Sequence, residues 1–214
     1  MKKLFLSFAV LLGSLALNVQ AEGFFVGGDI APFVSWQAKS EDCFFNCSPY
    51  HSQQDSTSTG FGIHGGQWVW SGYGGMVGWE VGYDNLGSIN GSTTGTIGFT
   101  TSTGRWKYAA TAQHIAILLE GIKGQNMAFS KIGIYRSSTK AEGSYVFGGG
   151  TYSHQTTGSG LLLGIGYKYA FTTHLSWVAA LDGFVNVKVT DPTNPPAATS
   201  QNLLKVSFGA DYNF

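Results

Sequence analysis

Charged residues are scarce in this sequence. Lysine, arginine, aspartate and glutamate make up 11% of the chain, whereas about 25% is usual for a soluble domain. Basic and acidic residues balance at 12 each, and no basic stretch stands out, so we expect no nucleic-acid partner. This shortage of charge argues against the hydrated surface of an ordinary soluble protein.

Long apolar runs are missing beyond the first residues. Leu4–Leu17 is the main apolar run, and it is shorter than the ~20 residues that a membrane-spanning helix needs. It follows Lys2 and Lys3 and precedes small residues that end at Ala21, an order typical of a secretory signal peptide. We therefore expect residues 1–21 to be a cleaved signal peptide and residues 22–214 to form one exported domain.

Alternation of apolar and polar residues is the dominant pattern in the rest of the chain. In Leu204–Phe214 nearly every second residue is apolar, which predicts a strand with one apolar and one polar face. The pattern continues in Leu175–Lys188, where Val185 and Val187 share the apolar face. It recurs, weakly in the last two, in Phe24–Ala31, Met76–Asp84, His114–Glu120, Gly160–Phe171, Thr59–Trp68 and Ala128–Ser137.

The connections between these strands alternate in length. Short turns are predicted at Trp70–Gly74, Gly121–Asn126 and Thr172–Thr173. Long loops are predicted at Gln37–Ser58, Ser88–Gly104, Ser138–Thr157 and Thr190–Gln201. Long outer loops and tight periplasmic turns are typical of an outer-membrane barrel. The predicted fold is therefore all-β, an eight-stranded antiparallel up-and-down transmembrane β-barrel with both termini in the periplasm.

Aromatic residues, 14% of the chain, gather near the predicted strand ends. Such rings favour the lipid headgroup level, so we expect two girdles on the outside of the barrel. The periplasmic girdle would contain Trp68, Trp70, Tyr73, Tyr169, Phe171, Tyr212 and Phe214. The outer girdle would contain Trp36, Tyr83, Trp106 and Tyr108.

Four segments resemble strands of the OmpA (outer membrane protein A) family. They are Gly78–Gly87, Gly164–Phe171, Thr173–Trp177 and Lys205–Phe214, in the family's order and spacing. The resemblance implies a barrel in the outer membrane of a Gram-negative cell, in contact with lipid and lipopolysaccharide. Many members continue into a peptidoglycan-binding domain, which we do not expect here. The aromatic ending, Phe214 with Tyr212, resembles the signal read by the barrel assembly machinery.

Eight charged residues are predicted to face the lumen. They are Asp29, Glu80, Glu120, Lys131, Lys168, Asp182, Lys205 and Asp211. Because an unpaired buried ion is costly, we expect a network that joins Glu80, Glu120, Lys131 and Lys168. The family also pairs lumen charges, but several signs are exchanged here, so its gating pair is not carried over. An ion gate and a plug-like polar core both remain open, and inward glycines are expected to leave water pockets.

Two further constellations could carry chemistry. Cys43 and Cys47 lie close together in the first long loop, which favours a disulfide in an exported protein, with a metal site that adds His51 as the alternative. His174, Ser176 and Asp182 could be combined into a hydrolase triad, but they are too far apart along a strand to touch. We therefore expect no metal, no cofactor and no enzyme.

These observations favour a monomeric outer-membrane protein with a structural role, whose exposed loops bind host or neighbouring surfaces. Support of the envelope without a specific ligand is one alternative. A narrow channel for small solutes or ions is another, and an outer-membrane lipid-modifying enzyme is the least favoured reading. The sequence names no ligand for the loops.

Overall fold

Antiparallel strands account for almost all of the described structure. The computed structural model describes residues 23–36, 51–97, 100–144, 150–190 and 198–214, so the predicted signal peptide lies outside the described residues. The strands are β1 (Phe24–Trp36), β2 (His51–Gln54), β3 (Thr57–Gly72), β4 (Gly75–Ile97), β5 (Thr100–Lys123), β6 (Asn126–Ser144), β7 (Thr151–Ala170), β8 (Leu175–Thr190) and β9 (Ala198–Asn213). In this part of the chain, no helix is long and apolar enough to cross a membrane.

The strands close into a ring. Each wall strand pairs with its neighbours in the order β4, β3, β1, β9, β8, β7, β6, β5, and a β4–β5 pairing closes the circle. The short β2 pairs with the far end of β4 and runs in line with β3, so the two act as one interrupted wall strand. The described strands therefore form eight up-and-down wall strands, which confirms the predicted fold class.

Alternation sorts the side chains between the outside and the inside of the ring. On β5, Ile117 points outward and is 54% exposed, whereas its neighbour Ala116 points inward and is 2% exposed. The same alternation holds along almost the whole strand, because successive side chains of a strand point to opposite faces. Each wall strand thus presents one row of residues to the surroundings and one row to the lumen.

Tight turns mark one end of the barrel, which we call the turn end. Between β3 and β4, Tyr73 (φ 50°) and Gly74 (φ 78°) both have positive φ, as a two-residue type I′ hairpin requires. Between β5 and β6, Gly124 (φ 64°) takes the first central position of a two-residue turn. The start of β1 and the end of β9 lie at this same end, and the opposite end is the loop end.

Two predicted loops are largely strand, and the prediction was wrong there. β4 and β5 stay paired up to Ile97 opposite Thr100, and β6 and β7 up to Ser144 opposite Thr151. The Gly, Ser and Thr content of these segments suggested loops, but cross-strand pairing of Thr-rich strands outweighs that composition. The barrel wall is therefore tall on the side formed by β4–β7.

β-bulges reverse the inside–outside pattern near the loop end in β1, β4 and β8. In β8 a bulge at Asn186 (φ 72°) turns Val187 inward, where it is fully buried, although the sequence pattern placed it outward. In β1 a bulge spans Pro32, and beyond it Trp36 faces inward. An extra residue shifts the side-chain parity of everything that follows it.

The aromatic girdles differ from the prediction because several of the rings lie on the inward rows of their strands. Trp36, Trp106 and Tyr108 are buried inside the loop end and do not form an outer girdle. Trp68 packs inside the turn end, with its ring 5.3 Å from that of Phe25. Exposed outward aromatics remain at the turn end, namely Trp70, Tyr73, Phe171, Tyr212 and Phe214.

The tall wall makes a prediction for hydrogen exchange. Backbone amides of residues 107–111 and 139–143 are paired between β5 and β6, so we expect them to exchange at least about a hundredfold more slowly than unpaired amides. Exchange of detergent-solubilised protein, followed by mass spectrometry, measures this. Gly124 in the exposed turn is the internal reference, and exchange at 107–111 as fast as at Gly124 would show that these segments are loops.

Candidate functional site

Ionisable side chains from every wall strand converge in the turn-end half of the lumen. We call the following residues the lumen network: Asp29 (β1), His64 (β3), Glu80 and Asp84 (β4), His114 and Glu120 (β5), Lys131 (β6), Lys168 (β7), Asp182 (β8), and Lys205 and Asp211 (β9). Inward parity on each strand puts them there. Because eight strands enclose a narrow interior, side chains from opposite walls can touch.

Each lysine of the lumen network is held between two carboxylates. Lys131 Nζ lies 3.1 Å from Asp182 Oδ1 and 3.4 Å from Glu80 Oε1. Lys205 Nζ lies 2.7 Å from Asp29 Oδ1 and 2.6 Å from Asp84 Oδ1, and its side chain is 1% exposed. An ammonium group removed from water in this way requires such partners.

The third lysine, Lys168, sits at the turn end in an aromatic collar. Its Nζ lies 2.7 Å from Asp211 Oδ2 and 3.4 Å from Glu120 Oε2. The same atom lies 5.2 Å from the ring centroids of Phe25 and Phe129 and 5.3 Å from that of Trp68. Aromatic faces attract cations, so the collar adds to the two ion pairs.

Two histidines connect the lysine clusters. His114 lies between Asp84 Oδ2, 2.9 Å from its Nδ1, and Glu80 Oε1, 3.0 Å from its Nε2. His64 Nε2 lies 2.9 Å from Asp211 Oδ1, and its Nδ1 is 3.8 Å from Asp29 Oδ2. Since carboxylates only accept hydrogen bonds, the two contacts of His114 are both satisfied when both ring nitrogens donate.

The contacts form one unbranched chain across the lumen. In order it runs Glu120, Lys168, Asp211, His64, Asp29, Lys205, Asp84, His114, Glu80, Lys131, Asp182. The structure brings together all eight charged residues named from the sequence. It adds Asp84, His64 and His114, whose inward parity was visible in the sequence.

The four residues expected to form one network are divided between two ion pairs. Lys131 contacts Glu80 and Lys168 contacts Glu120, but among the described residues no ion pair links these two couples directly. They are connected only through the rest of the chain of contacts. The difference arises because Asp182 and Asp211 are in better position to provide each lysine with its second carboxylate.

Inward glycines make room for these side chains. A Cβ atom at Gly62 would lie 2.6 Å from Asp29 Oδ2 and 2.9 Å from Lys205 Nζ. At Gly82, directly opposite His114, it would lie 2.7 Å from the imidazole Nε2. The expectation of water pockets beside the glycines was wrong at these positions, because charged and imidazole groups fill the space.

A cluster of apolar side chains closes the lumen on the loop-end side of the network. This apolar plug consists of Val34, Trp36, Leu86, Ile89, Trp106, Tyr108, Tyr135, Tyr152, Leu162, Phe184, Val187, Val189 and Leu203, all buried. Its polar atoms are partly satisfied within the barrel. Tyr135 Oη donates to the carbonyl of Val185 at 2.7 Å, and Trp36 Nε1 donates to Ser58 Oγ at 2.9 Å.

Between the network and its apolar lining there is little free space. A cavity of about 20 Å³ is lined by network residues together with Leu118, Phe129 and Val178. That volume holds roughly one water molecule. The interior is therefore occupied by side chains at both levels, with ion pairs near the turn end and apolar groups above them.

The other candidate sites have different outcomes. Cys43 and Cys47 lie outside the described residues, so the disulfide and the metal alternative with His51 both stay predictions. In the part of the chain that is described, no cluster of His, Cys, Asp and Glu could hold a metal ion.

The imagined hydrolase triad does not assemble. His174 Nδ1 lies 2.8 Å from the carbonyl oxygen of Asn213 at the turn end. Asp182 is engaged by Lys131 in the lumen, and Ser176 is buried on the inner face of β8. The three side chains therefore have separate partners, and no nucleophile–base pair is formed from them.

The aromatic ending lies on the outer face at the seam between the first and last strands. Tyr212 and Phe214 pack edge to face, with ring centroids 5.2 Å apart, and both are exposed. The backbone N–H of Phe214 donates to the carbonyl of Phe24 at 2.9 Å, which joins the end of the chain to β1. Their part in assembly stays a prediction.

Comparison with known proteins gives the class of the fold. No family model matches the chain, and no curated protein does. Among solved structures, the outer membrane protein OprG of Pseudomonas aeruginosa is 11% identical, with a TM-score of 0.50 over 90% of this chain and 97% of OprG. Ail, the attachment invasion locus protein of Yersinia pestis, is 13% identical, with a TM-score of 0.48 over 90% of this chain and 99% of Ail.

Neisserial surface protein A is also similar, at 14% identity and a TM-score of 0.45 over 90% of this chain and 98% of that protein. At sequence identities this low, the similarity shows a shared fold alone. The chain has the fold of an eight-stranded outer-membrane β-barrel, of the type that the resemblance to the OmpA family led us to expect.

The lumen network makes a prediction for stability. We expect Lys131→Met to lower the free energy of unfolding by about 3–5 kcal/mol, because Glu80 and Asp182 then lose their shared buried cation. Adding Asp182→Asn should restore part of the loss, since it removes one of the two stranded charges. Urea unfolding in lipid vesicles, followed by tryptophan fluorescence, measures both.

Lys140→Met is the matched control. Lys140 pairs with Glu142 on the exposed outer wall, where an ion pair contributes little. If the Lys131 and Lys140 variants unfold at the same urea concentration, the lumen network does not stabilise the barrel.

Proposed function

We propose that the protein is a non-conducting scaffold of the outer membrane that presents binding surfaces outside the cell. In this proposal residues 1–21 direct export and are removed. The turn end and both termini then face the periplasm, and the loop end faces the exterior. The barrel acts as a monomer and performs no catalysis.

An apolar belt around the barrel supports the membrane placement. Large apolar side chains point outward at exposures that water would not favour, for example 67% at Ile30 and 63% at Ile134. On β5 and β6 the belt reaches up to Ile115 and Ile134, which lie opposite each other, and Gln113 and Arg136 follow above them. Outward residues beyond this level are mainly polar, as expected for a wall that rises out of lipid.

The filled lumen is the observation that favours a scaffold over a channel. The lumen network occupies one half of the interior and the apolar plug the other, and the cavity beside the network is about 20 Å³. An eight-stranded barrel has an interior that side chains can fill completely. Ion pairs within the network then serve as a polar core, and an ion gate has no open path to control.

Presentation is supported by the tall wall. Strands β4–β7 carry a paired, rigid support beyond the apolar belt, and this pairing extends to Ile97 opposite Thr100 and to Ser144 opposite Thr151. Loops on a rigid scaffold are where binding residues concentrate. Attachment to host or neighbouring surfaces is the role that such a platform fits best.

We also propose that Tyr212 and Phe214 guide assembly. Both rings lie exposed on the outer face of the closing strand, where the assembly machinery could bind them before the seam with β1 forms.

Conductance separates the scaffold from the alternative of a narrow channel. We expect the purified protein to give no stepwise current in a planar bilayer, and Lys131→Ala to be equally silent, because the apolar plug closes the lumen independently of the network. Steady unitary currents in the unaltered protein, altered by Lys131→Ala, would favour the channel.

Attachment tests the presenting role. Residues 94–103 can be replaced by Asn-Gly, because Thr93 and Gly104 are paired and a two-residue turn fits there. Residues 144–151 can be replaced in the same way between Gly143 and Tyr152. Bacteria that carry the doubly shortened barrel should lose most attachment to cultured cells.

Heat-modifiable gel mobility must show that the shortened barrel still folds. A control variant with Gly124 and Gln125 replaced by Asn-Gly alters only the turn end and should attach normally. If the shortened barrel attaches as well as the unaltered barrel, the presenting role is wrong. Support of the envelope, with no specific ligand, would then be the remaining function.

A further inference from the structure

The two signs of charge are distributed unequally between the inside and the outside of the barrel. Of the carboxylates in the described residues, those outside the lumen network are Asp55 and Glu142. Cations, in contrast, remain on the outer wall near the loop end, where Arg105, Lys107, Arg136 and Lys140 are exposed. We call these four residues the basic strip.

The basic strip lies on one face of two adjacent strands. Lys107 on β5 is opposite Glu142 on β6, and Lys140 is opposite Ala109. Arg105 and Lys107 are two residues apart, and Arg136 and Lys140 are four apart, so all four side chains point to the same side. Four cations thus form a ladder on the outside of the wall.

The strip begins where the apolar belt ends. Ile115 and Ile134 are opposite each other at the top of the belt, and Arg136 is the next outward residue above Ile134. The strip then rises through Lys140 and Lys107 to Arg105. This is the level of the lipid headgroups and of the saccharides attached to them, and the side chains face sideways toward neighbouring lipids.

One carboxylate, Glu142, lies beside the basic strip and offsets only part of its positive charge. The hydrogen bond and charge of Lys140 hold the pKa of the Glu142 carboxyl below its usual value, so Glu142 stays ionised and neutralises one cation. The remaining cations are surrounded by small polar groups such as Gln113, Ser138 and Gln155, which suit saccharide hydroxyls.

We propose that the basic strip binds the phosphates of lipopolysaccharide molecules in the outer leaflet beside β5 and β6. One amphiphile fits both parts of this face, because its acyl chains would lie on Ile117 and Ile132 in the belt while its phosphorylated saccharide lies on the strip. Arginine and lysine are the side chains that recognise phosphate. A soluble sulfated polysaccharide would contact the strip alone. Its binding would not explain why the strip continues directly into the apolar belt.

This inference rests on the proposed membrane placement but not on attachment to other surfaces. Its test uses the full barrel in detergent micelles, titrated with purified lipopolysaccharide, with the same lipopolysaccharide after chemical dephosphorylation, and with heparin as a sulfated polysaccharide. The test variant is R105Q/K107Q/R136Q/K140Q. The control variant is K123Q/K188Q, which removes two cations that lie away from the strip, the exposed Lys123 on β5 and the half-buried Lys188 on β8.

We expect the test variant to bind lipopolysaccharide about tenfold or more weakly than the unaltered barrel, and the control variant to bind it within about twofold. Dephosphorylation should weaken binding to the unaltered barrel by a similar factor, and raising the salt concentration should do the same because exposed charges are screened. Glu142→Gln should strengthen binding slightly, since it releases Lys140.

Equal binding by the test and control variants would overturn the proposal. Binding of heparin in preference to lipopolysaccharide would also overturn it, in favour of a sulfated polysaccharide. Heat-modifiable mobility of every variant shows whether it folds. If the unaltered protein itself fails to fold as a barrel in micelles, it is the membrane placement that fails, and not the strip.

Discussion

Closure of eight strands into a narrow ring is the constraint on which the rest of the structure depends. The β4–β5 pairing leaves no free edge among the wall strands, so every backbone donor and acceptor in the wall can be satisfied without water. It also encloses an interior only as wide as the side chains that fill it. Whatever the inward row of each strand carries must therefore find its partner across the lumen.

The lumen network and the apolar plug are two solutions to that requirement. Ion pairs surrounded by low-polarity walls cost much desolvation energy, and they are tolerable only when every charge has good partners. Here each lysine has two carboxylates, and each histidine lies between two carboxylates that also pair with lysines. Toward the loop end the inward row becomes apolar and aromatic, and the cost of burying charge disappears. Most acidic side chains of the described residues therefore lie inside the barrel, and basic side chains predominate on its outer wall.

The strands could be predicted from the sequence where one face is apolar, as in β5, β8 and β9, because lipid contact produces a strict alternation. The height of β4–β7 could not be predicted, because the loop-end parts of these strands are polar on the outside and rich in Gly, Ser and Thr. Loops share that composition. The side of the wall was predicted wrongly after bulges. The bulge in β8, for example, turns Val187 from the outside to the inside of the barrel. The inward position of the lumen charges was visible, but the identity of each pair was not, because it depends on the stagger between strands. For the same reason Asp84 was not named as part of the network, and the link that His64 and His114 make between the lysine clusters was not foreseen.

In this barrel, one face of each wall strand carries the apolar side chains that would meet lipid, while the other face is shielded inside a filled lumen. Nitroxide labels placed singly along β5 from Lys107 to Gly121, in barrels reconstituted into vesicles, test it most directly through collision with oxygen and with a polar nickel chelate. Oxygen should reach labels at 115, 117 and 119 and not those at 116 and 118, while the chelate should take over at 113 and above. Uniform access of the chelate along the whole strand, with no alternation, would contradict this arrangement.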